Sequence, residues 1–168
     1  MSAPRLTTAS YLVLGLVEMA EPVTPYELKQ LAAESVLNFW SLPHTQIYTQ
    51  CDRLTEAGLL AERREQTGRR RRSFTITKDG RTAMDAWRAN VAESHMELRD
   101  MGLLKLFFGA DPKKLAAEQF TAHSERLAEY ERIADERGEF MSEGQLLTLN
   151  TGLKFERDFV AFWKRMSS

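Results

Sequence analysis

Six arginines, Arg63, Arg64, Arg69, Arg70, Arg71 and Arg72, lie close together in the chain, with Glu65 the one carboxylate among them. Guanidinium groups this dense repel one another, and a partner carrying regularly spaced anions relieves the repulsion. Each offers a planar fork of N–H donors that matches a phosphate. Just upstream, HTQIYTQCDRLTEAG reads as a helix with two unlike sides. Ile47, Cys51 and Leu54 recur at helical spacing with Tyr48 at their border, while Thr45, Gln46, Thr49, Asp52, Arg53 and Glu56 fall opposite. Short hydroxyls, an amide and a guanidinium on one outward face are groups that bond base edges and phosphates in a major groove. The chemistry implied is non-covalent. Thr45, Gln46, Tyr48 and Thr49 are expected to read bases or adjacent phosphates, and Arg53 with Arg69, Arg70, Arg71 and Arg72 to hold the backbone of double-stranded DNA.

Bond-making chemistry finds no such support. His44, His95 and His123 fall on separate segments, without the i, i+4 pairing of a helical metal site. There is no nucleophile elbow, no dinucleotide fingerprint, and TGRRRR lacks the glycines and lysine of a phosphate loop. Cys51 is the single cysteine, so no intramolecular disulfide or multi-Cys metal site can form, and its place on the apolar stripe predicts a small core residue. The sequence therefore predicts neither an enzyme nor a cofactor nor a metal. The apolar run near the start is interrupted by Glu18 and Glu21, and no stretch approaches the ~20 apolar residues of a membrane span. A cytoplasmic protein without a membrane partner is expected.

The elements that must position these side chains can be read around them. Gly58 stands where a left-handed residue ends a helix. LLAERREQTGRRRRSFTIT then reads as two strands joined by Gln66-Thr67-Gly68-Arg69, with Phe74 and Ile76 alternating against Ser73 and Thr75. Upstream, a first helix from Thr8 to Met19 ends at Glu21-Pro22-Val23. Thr24-Pro25-Tyr26-Glu27 has the cap, proline and glutamate of a second helix start, running to about Ala33. A short aromatic stretch from Glu34 to Trp40 follows, and Pro43 opens the polar-faced helix. Helix, helix, turn, helix, ribbon is the order of a winged helix-turn-helix.

Residues 1–90 carry 12 Lys+Arg against 10 Asp+Glu, a net +2, and residues 91–168 carry 11 against 14, a net −3. The basic half holds the expected contact residues; with 43% apolar residues, the other half can build a scaffold of its own. Thr77 caps a linking helix expected over about 78–108, running on to Leu104 or breaking near Gly102, with Met84, Trp87, Val91, Leu98 and Met101 on one side. Gly109-Ala110-Asp111-Pro112 marks a boundary before a helix from Pro112 to about Arg137. The last helix, Gln145 to Met166, carries Leu149, Leu153, Val160 and Trp163 on one stripe and Phe155, Phe159, Phe162 and Met166 on another. A helix packed only within its own chain needs one stripe, so the second implies another copy of the chain. The predicted fold is mainly α with a small antiparallel β wing. Residues 1–80 form a winged helix-turn-helix and 81–168 a helical dimerisation domain, so that two wings span half-sites about 34 Å apart.

GLVEMAEPVTPYELKQL, FWSLPHTQIYTQCDRLTEAGLL and QTGRRRRSFTIT together resemble the PadR family of bacterial transcriptional regulators over most of residues 10–80. The spacing Tyr26-Glu27-Leu28, Phe39-Trp40-Ser41, His44-x-Gln46-Ile47-Tyr48 and Leu54-x-x-x-Gly58-Leu59 carries the likeness, and MGLLKLFFGADP is similar to the family's Leu-rich segment. Thr49 replaces a common proline, and Arg70-Arg71 a less basic pair, which implies firmer phosphate contact. The resemblance implies a homodimeric regulator, a repressor by expectation, acting on a pseudo-palindromic operator. It also implies release by a small aromatic or hydrophobic effector, with Tyr11, Trp87, Phe159 and Trp163 as candidate lining. The alternative is a winged-helix module that docks an acidic protein surface and binds no DNA.

Overall fold

A computed structural model describes residues 5–65, 71–90 and 99–167. The chain divides into two units, residues 1–94 and 95–168.

In the N-terminal unit, α1 (Thr8–Ala20) opens on a reciprocal cap: Thr7 N donates to Ser10 Oγ at 3.1 Å and Ser10 N to Thr7 Oγ1 at 3.4 Å. α2 (Pro25–Ala33) repeats the device, with Thr24 N donating to Glu27 Oε2 at 2.8 Å and Glu27 N to Thr24 Oγ1 at 3.3 Å, as its sequence predicts. After a 3-10 turn at Val36–Asn38, α3 (His44–Glu56) buries Ile47, Cys51 and Leu54. Gly58 at φ +73° ends it in the left-handed region, and Leu59 N donates back to Leu54 O at 2.9 Å.

The chain then enters β1 (Leu60–Arg64), which pairs antiparallel with β2 (Arg72–Ile76). The register sets Leu60 opposite Ile76, Glu62 opposite Phe74 and Arg64 opposite Arg72. Period two therefore gives the ribbon an inner side that is apolar at its base and charged towards its far end. Val23, expected only to end the first helix, adds a bridge to the ribbon: Val23 N donates to Phe74 O at 3.1 Å and Phe74 N to Val23 O at 2.8 Å. Val13, Leu14, Val17, Leu28, Ile47, Leu54, Leu60 and Phe74 are buried around this junction. Each such side chain contributes about 1.5–3 kcal/mol on leaving water, which holds α3 by its inner stripe.

Thr77 ties three elements together. Its hydroxyl donates towards Gly58 O at 2.8 Å and Leu59 O at 3.1 Å, and accepts from Gly80 N at 3.1 Å to cap α4 (Lys78–Ala89). The expected continuous linking helix over 78–108 is not formed. Asn90 has extended backbone at ψ 113°, and α5 (Met101–Phe107) starts afresh on Asp100, whose Oδ1 accepts from Leu103 N at 2.6 Å. Asn and Asp side chains compete with helical backbone bonds, so they favour such ends. Val91, His95 and Leu98 lie outside the described residues.

In the C-terminal unit, α6 (Pro112–Arg137) is capped by Asp111, and a 3-10 turn at Gly138–Phe140 leads to α7 (Glu143–Met166). α7 begins before the expected Gln145, because Ser142 and Gln145 form a third reciprocal cap within a stretch that reads as a polar spacer. α6 and α7 run antiparallel: His123 faces Glu156, and further along Tyr130 faces Gly152. Ala116, Tyr130, Ile133, Leu153, Glu156 and Trp163 are buried there. Of the second apolar stripe on α7, Phe159 tilts against His123 of the same chain at 4.7 Å between centroids, so that stripe is half-covered within the unit.

Candidate nucleic-acid interface

The exposed side of α3 carries Thr45, Gln46, Tyr48, Thr49 and Arg53, the residues expected to read a duplex. Burial of Ile47, Cys51 and Leu54 fixes this orientation, since the two sides of a helix are set together by its period. The Thr49 hydroxyl donates to Thr45 O at 3.2 Å, which leaves its oxygen as an outward acceptor. Gln50 is buried instead: Ser10 Oγ donates to Gln50 Oε1 at 2.9 Å, locking α3 to α1. Gln50 has no role in the sequence reading, and only its position three residues after Ile47 hints that it turns inward.

On the ribbon, Arg63 and Arg71 are exposed, and Glu65 N donates to Arg71 O at 3.0 Å to extend the ladder beyond the strands. Arg69 and Arg70, and with them the expected turn at Gln66 to Gly68, lie outside the described residues. Arg72 is placed differently from Arg63 and Arg71. Its Nε donates to Glu62 Oε1 at 2.8 Å, and its Nη2 to Glu62 Oε2 at 3.1 Å and to Asp52 Oδ1 at 2.5 Å. Its guanidinium also lies 5.3 Å from the centroid of the Phe74 ring. The hydrogen bonds it donates to Glu62 and then to Asp52 raise the Arg72 pKa further above its ordinary value. Those from Arg64 and Arg72 hold the Glu62 carboxyl below the usual carboxylate range. The arginine run is therefore not uniform: strand alternation turns Arg72 towards the protein's own carboxylates.

Cys51 sits beneath this face at 1% exposure, and burial pushes its thiol up to about 12. Behind it, carboxylates of α1 hold cations of α4: Glu18 pairs with Arg88 and with Arg81, and Glu21 with Arg81. Glu21 Oε2 also accepts from Ile76 N at 2.7 Å, so the base of the wing is anchored to the end of α1. The four expected effector residues fall in two pairs. Tyr11 and Trp87 stack at 5.1 Å and 13° in the N-terminal unit, with Trp87 46% exposed. Phe159 and Trp163 belong to the C-terminal unit, where Trp163 is fully buried. Among the described residues, no group of three or more His, Cys, Asp or Glu is arranged to hold a metal ion, and no helix is long and apolar enough to cross a membrane.

Two family models match the chain. The transcriptional regulator PadR-like family covers residues 13–86, and the virulence activator alpha C-terminal family covers residues 98–167. The negative transcriptional regulator PadR of Bacillus subtilis is 25% identical over 167 residues, spanning 90% of this chain and 91% of that protein. The crystal structure of B. subtilis PadR in complex with operator DNA superposes with a TM-score of 0.82 at 22% identity, covering 96% of this chain and 98% of that one. The same protein in complex with p-coumaric acid gives 0.77 at 22% identity over 96% and 97%. These likenesses span both units and agree with the mainly helical winged fold read from the sequence. The winged domain, residues 13–86, belongs to the PadR-like family, whose members are transcriptional regulators and not enzymes.

Proposed function

We propose that this chain is a cytoplasmic, homodimeric repressor that binds a pseudo-palindromic DNA operator. One observation carries the reading: α3 is held by its apolar stripe so that Thr45, Gln46, Tyr48, Thr49 and Arg53 all face outward, next to a ribbon exposing Arg63 and Arg71. The polar helix supplies base-edge donors and acceptors, and the guanidinium groups, with Arg69 and Arg70, supply phosphate contacts. Repression is favoured by the similar B. subtilis protein, a negative regulator, and operator binding by the structure of that protein on its operator.

Pairing of two copies is supported by the C-terminal unit's surface. It exposes Met101, Leu104, Phe107, Phe108, Phe140 and Leu147, Phe107 by 83%, Phe108 by 77% and Phe140 by 86%. Met101, Leu104, Phe107 and Phe108 precede α6 while Phe140 and Leu147 follow it, so these are two clusters at opposite ends of that helix, and exposed apolar clusters of this kind mark interaction sites. A small aromatic effector is favoured by the p-coumaric acid complex of the B. subtilis relative.

Genomic fragments captured by the purified protein test the reading and supply the operator at once. Enrichment of a short inverted repeat is expected. A dimer neutralising ~6–10 phosphates lowers log affinity with log salt at a slope of about −5 to −9. Failure to retain any duplex at low salt overturns the proposal and favours a protein-docking wing.

A further inference from the structure

We propose that Arg72 is a positioning residue, not a phosphate contact: it clamps the wing to α3 and, together with Arg64, neutralises two carboxylates, Asp52 and Glu62, beside the duplex-facing side. The inference rests on the DNA-binding reading above and goes beyond it.

Three observations carry it. Arg72 is the meeting point of three elements, on β2 itself, with Glu62 on β1 and Asp52 on α3. Its fork grips Glu62 through two nitrogens, the geometry that fixes direction as well as distance. Its guanidinium lies over the ring of Phe74, a fully buried residue of the wing's base, so it cannot swing outward without leaving both partners and the ring.

Stability alone does not account for the arrangement. Arg72 and Asp52 side chains are 33% and 53% exposed, and pairs open to water contribute little to folding. The placement matters more for a ligand. Asp52 stands next to Arg53 on α3, and Glu62 next to Arg63 on β1. Without Arg72, Glu62 would keep Arg64 alone and Asp52 would lose this cation, leaving a net negative charge that repels the phosphates their neighbours are meant to hold. Arg72 removes this excess and sets the angle between reading helix and wing, so that Arg53 and Arg71 meet the same duplex.

A double-mutant cycle tests the assignment, using a fluorescently labelled mixed-sequence duplex. Arg72→Ala is expected to weaken binding about ten-fold or more while the slope of log affinity against log salt stays unchanged. In the Asp52→Asn/Glu62→Gln background the same change is expected to alter affinity less than two-fold, because there is no longer a charge to cancel. A phosphate contact behaves otherwise: an equal loss in both backgrounds, with the slope reduced by about 0.9 per protomer, would overturn the proposal. So would full affinity in Arg72→Ala.

Arg72→Lys, which keeps the charge and an aliphatic stem, runs the same cycle should the alanine variant fail to fold. Loss is expected there too, since a lysine has no fork. Hydrogen exchange of the amides in 60–64 and 72–76 reads the clamp without DNA. Faster exchange in the Arg72 variants supports it, and unchanged exchange refutes it. Should the unmodified protein bind no duplex at any salt, the functional reading fails while the exchange data still judge the clamp.

Discussion

Ser10 Oγ donates to Gln50 Oε1 across 2.9 Å with both side chains buried, so the first helix and the reading helix share one polar contact inside an apolar core. Gln50→Leu leaves the Ser10 hydroxyl without its acceptor. A loss of about 1–3 kcal/mol in urea unfolding is expected, since a buried group stripped of its partner retains its full desolvation penalty. The Ser10→Ala/Gln50→Leu pair recovers part of that loss, because both ends of the bond are then removed together.

Gly80 is the tightest point of the wing's base. A Cβ there would sit 2.2 Å from Leu59 O and 2.7 Å from Ile76 Cγ1. Backbone cannot yield as a flexible side chain does, so Gly80→Ala is expected to destabilise by at least about 1–3 kcal/mol, the usual scale of overpacking. Gly144→Ala, where nothing lies within 4 Å, serves as the control and leaves the melting temperature nearly unchanged.

Glu62 gives a pH signature with a defined sign. Arg64 and Arg72 hold its folded pKa below 4.5, so its contribution is complete above that value and is lost as pH falls through the folded pKa. Glu62→Gln should therefore be less stable than the unmodified protein at pH 7, and the gap in urea midpoints should narrow as the solution is acidified below about pH 4. A gap that widens on acidification contradicts this.

Base reading and backbone grip separate in their salt dependence. Gln46→Ala is expected to flatten preference among operator variants by about 1–3 kcal/mol at one base pair, with the salt slope kept. Arg53→Ala and Arg71→Ala should weaken all duplexes alike, each lowering the slope by about 0.9 per phosphate released. Gel shifts at several salt concentrations, on the operator and on scrambled duplex, distinguish the two behaviours.

Phe107 and Phe108 stand out of the C-terminal unit with their rings at 88° to each other. Sedimentation of the unmodified chain should give one species of twice 19.3 kDa. Phe107→Asp/Phe108→Asp is expected to shift it towards the single-chain mass, with helical circular dichroism retained. A variant that stays paired removes these rings from the interface.

Local rules made much of this legible. Thr24 with Glu27, Gly58 and Asp111-Pro112 signal helix ends through bonds that span only a few residues, and α2, α3 and α6 begin or end there. The stripe Ile47, Cys51 and Leu54 orients the reading face because the helical period leaves no alternative. What escaped needs tertiary register. Four consecutive arginines look equivalent in sequence; only the pairing that puts Arg64 opposite Arg72, and the approach of Asp52 from 20 residues away, turns Arg72 towards the protein while Arg71 stays exposed. The apolar pattern around Trp87 suggests a helix running on, whereas Asn90 and Asp100 interrupt it through backbone preferences that apolar spacing does not register. Glu156, buried against His123 at 2.6 Å, falls within the first stripe of α7, three residues after Leu153 and four before Val160, where a pattern built from apolar residues alone passes over a charged one.

The sealed thiol beneath the reading face has a practical corollary. A native molecule whose single sulfhydryl stays protonated at ordinary pH and out of reach of solvent is, without any alteration, a blank background for site-directed labelling. A cysteine introduced at an exposed position outside both surfaces, such as Lys114 or Glu118, would be the one group to take up a maleimide dye or spin label. Distances between the two copies of a pair, on and off DNA, then come from a single substitution.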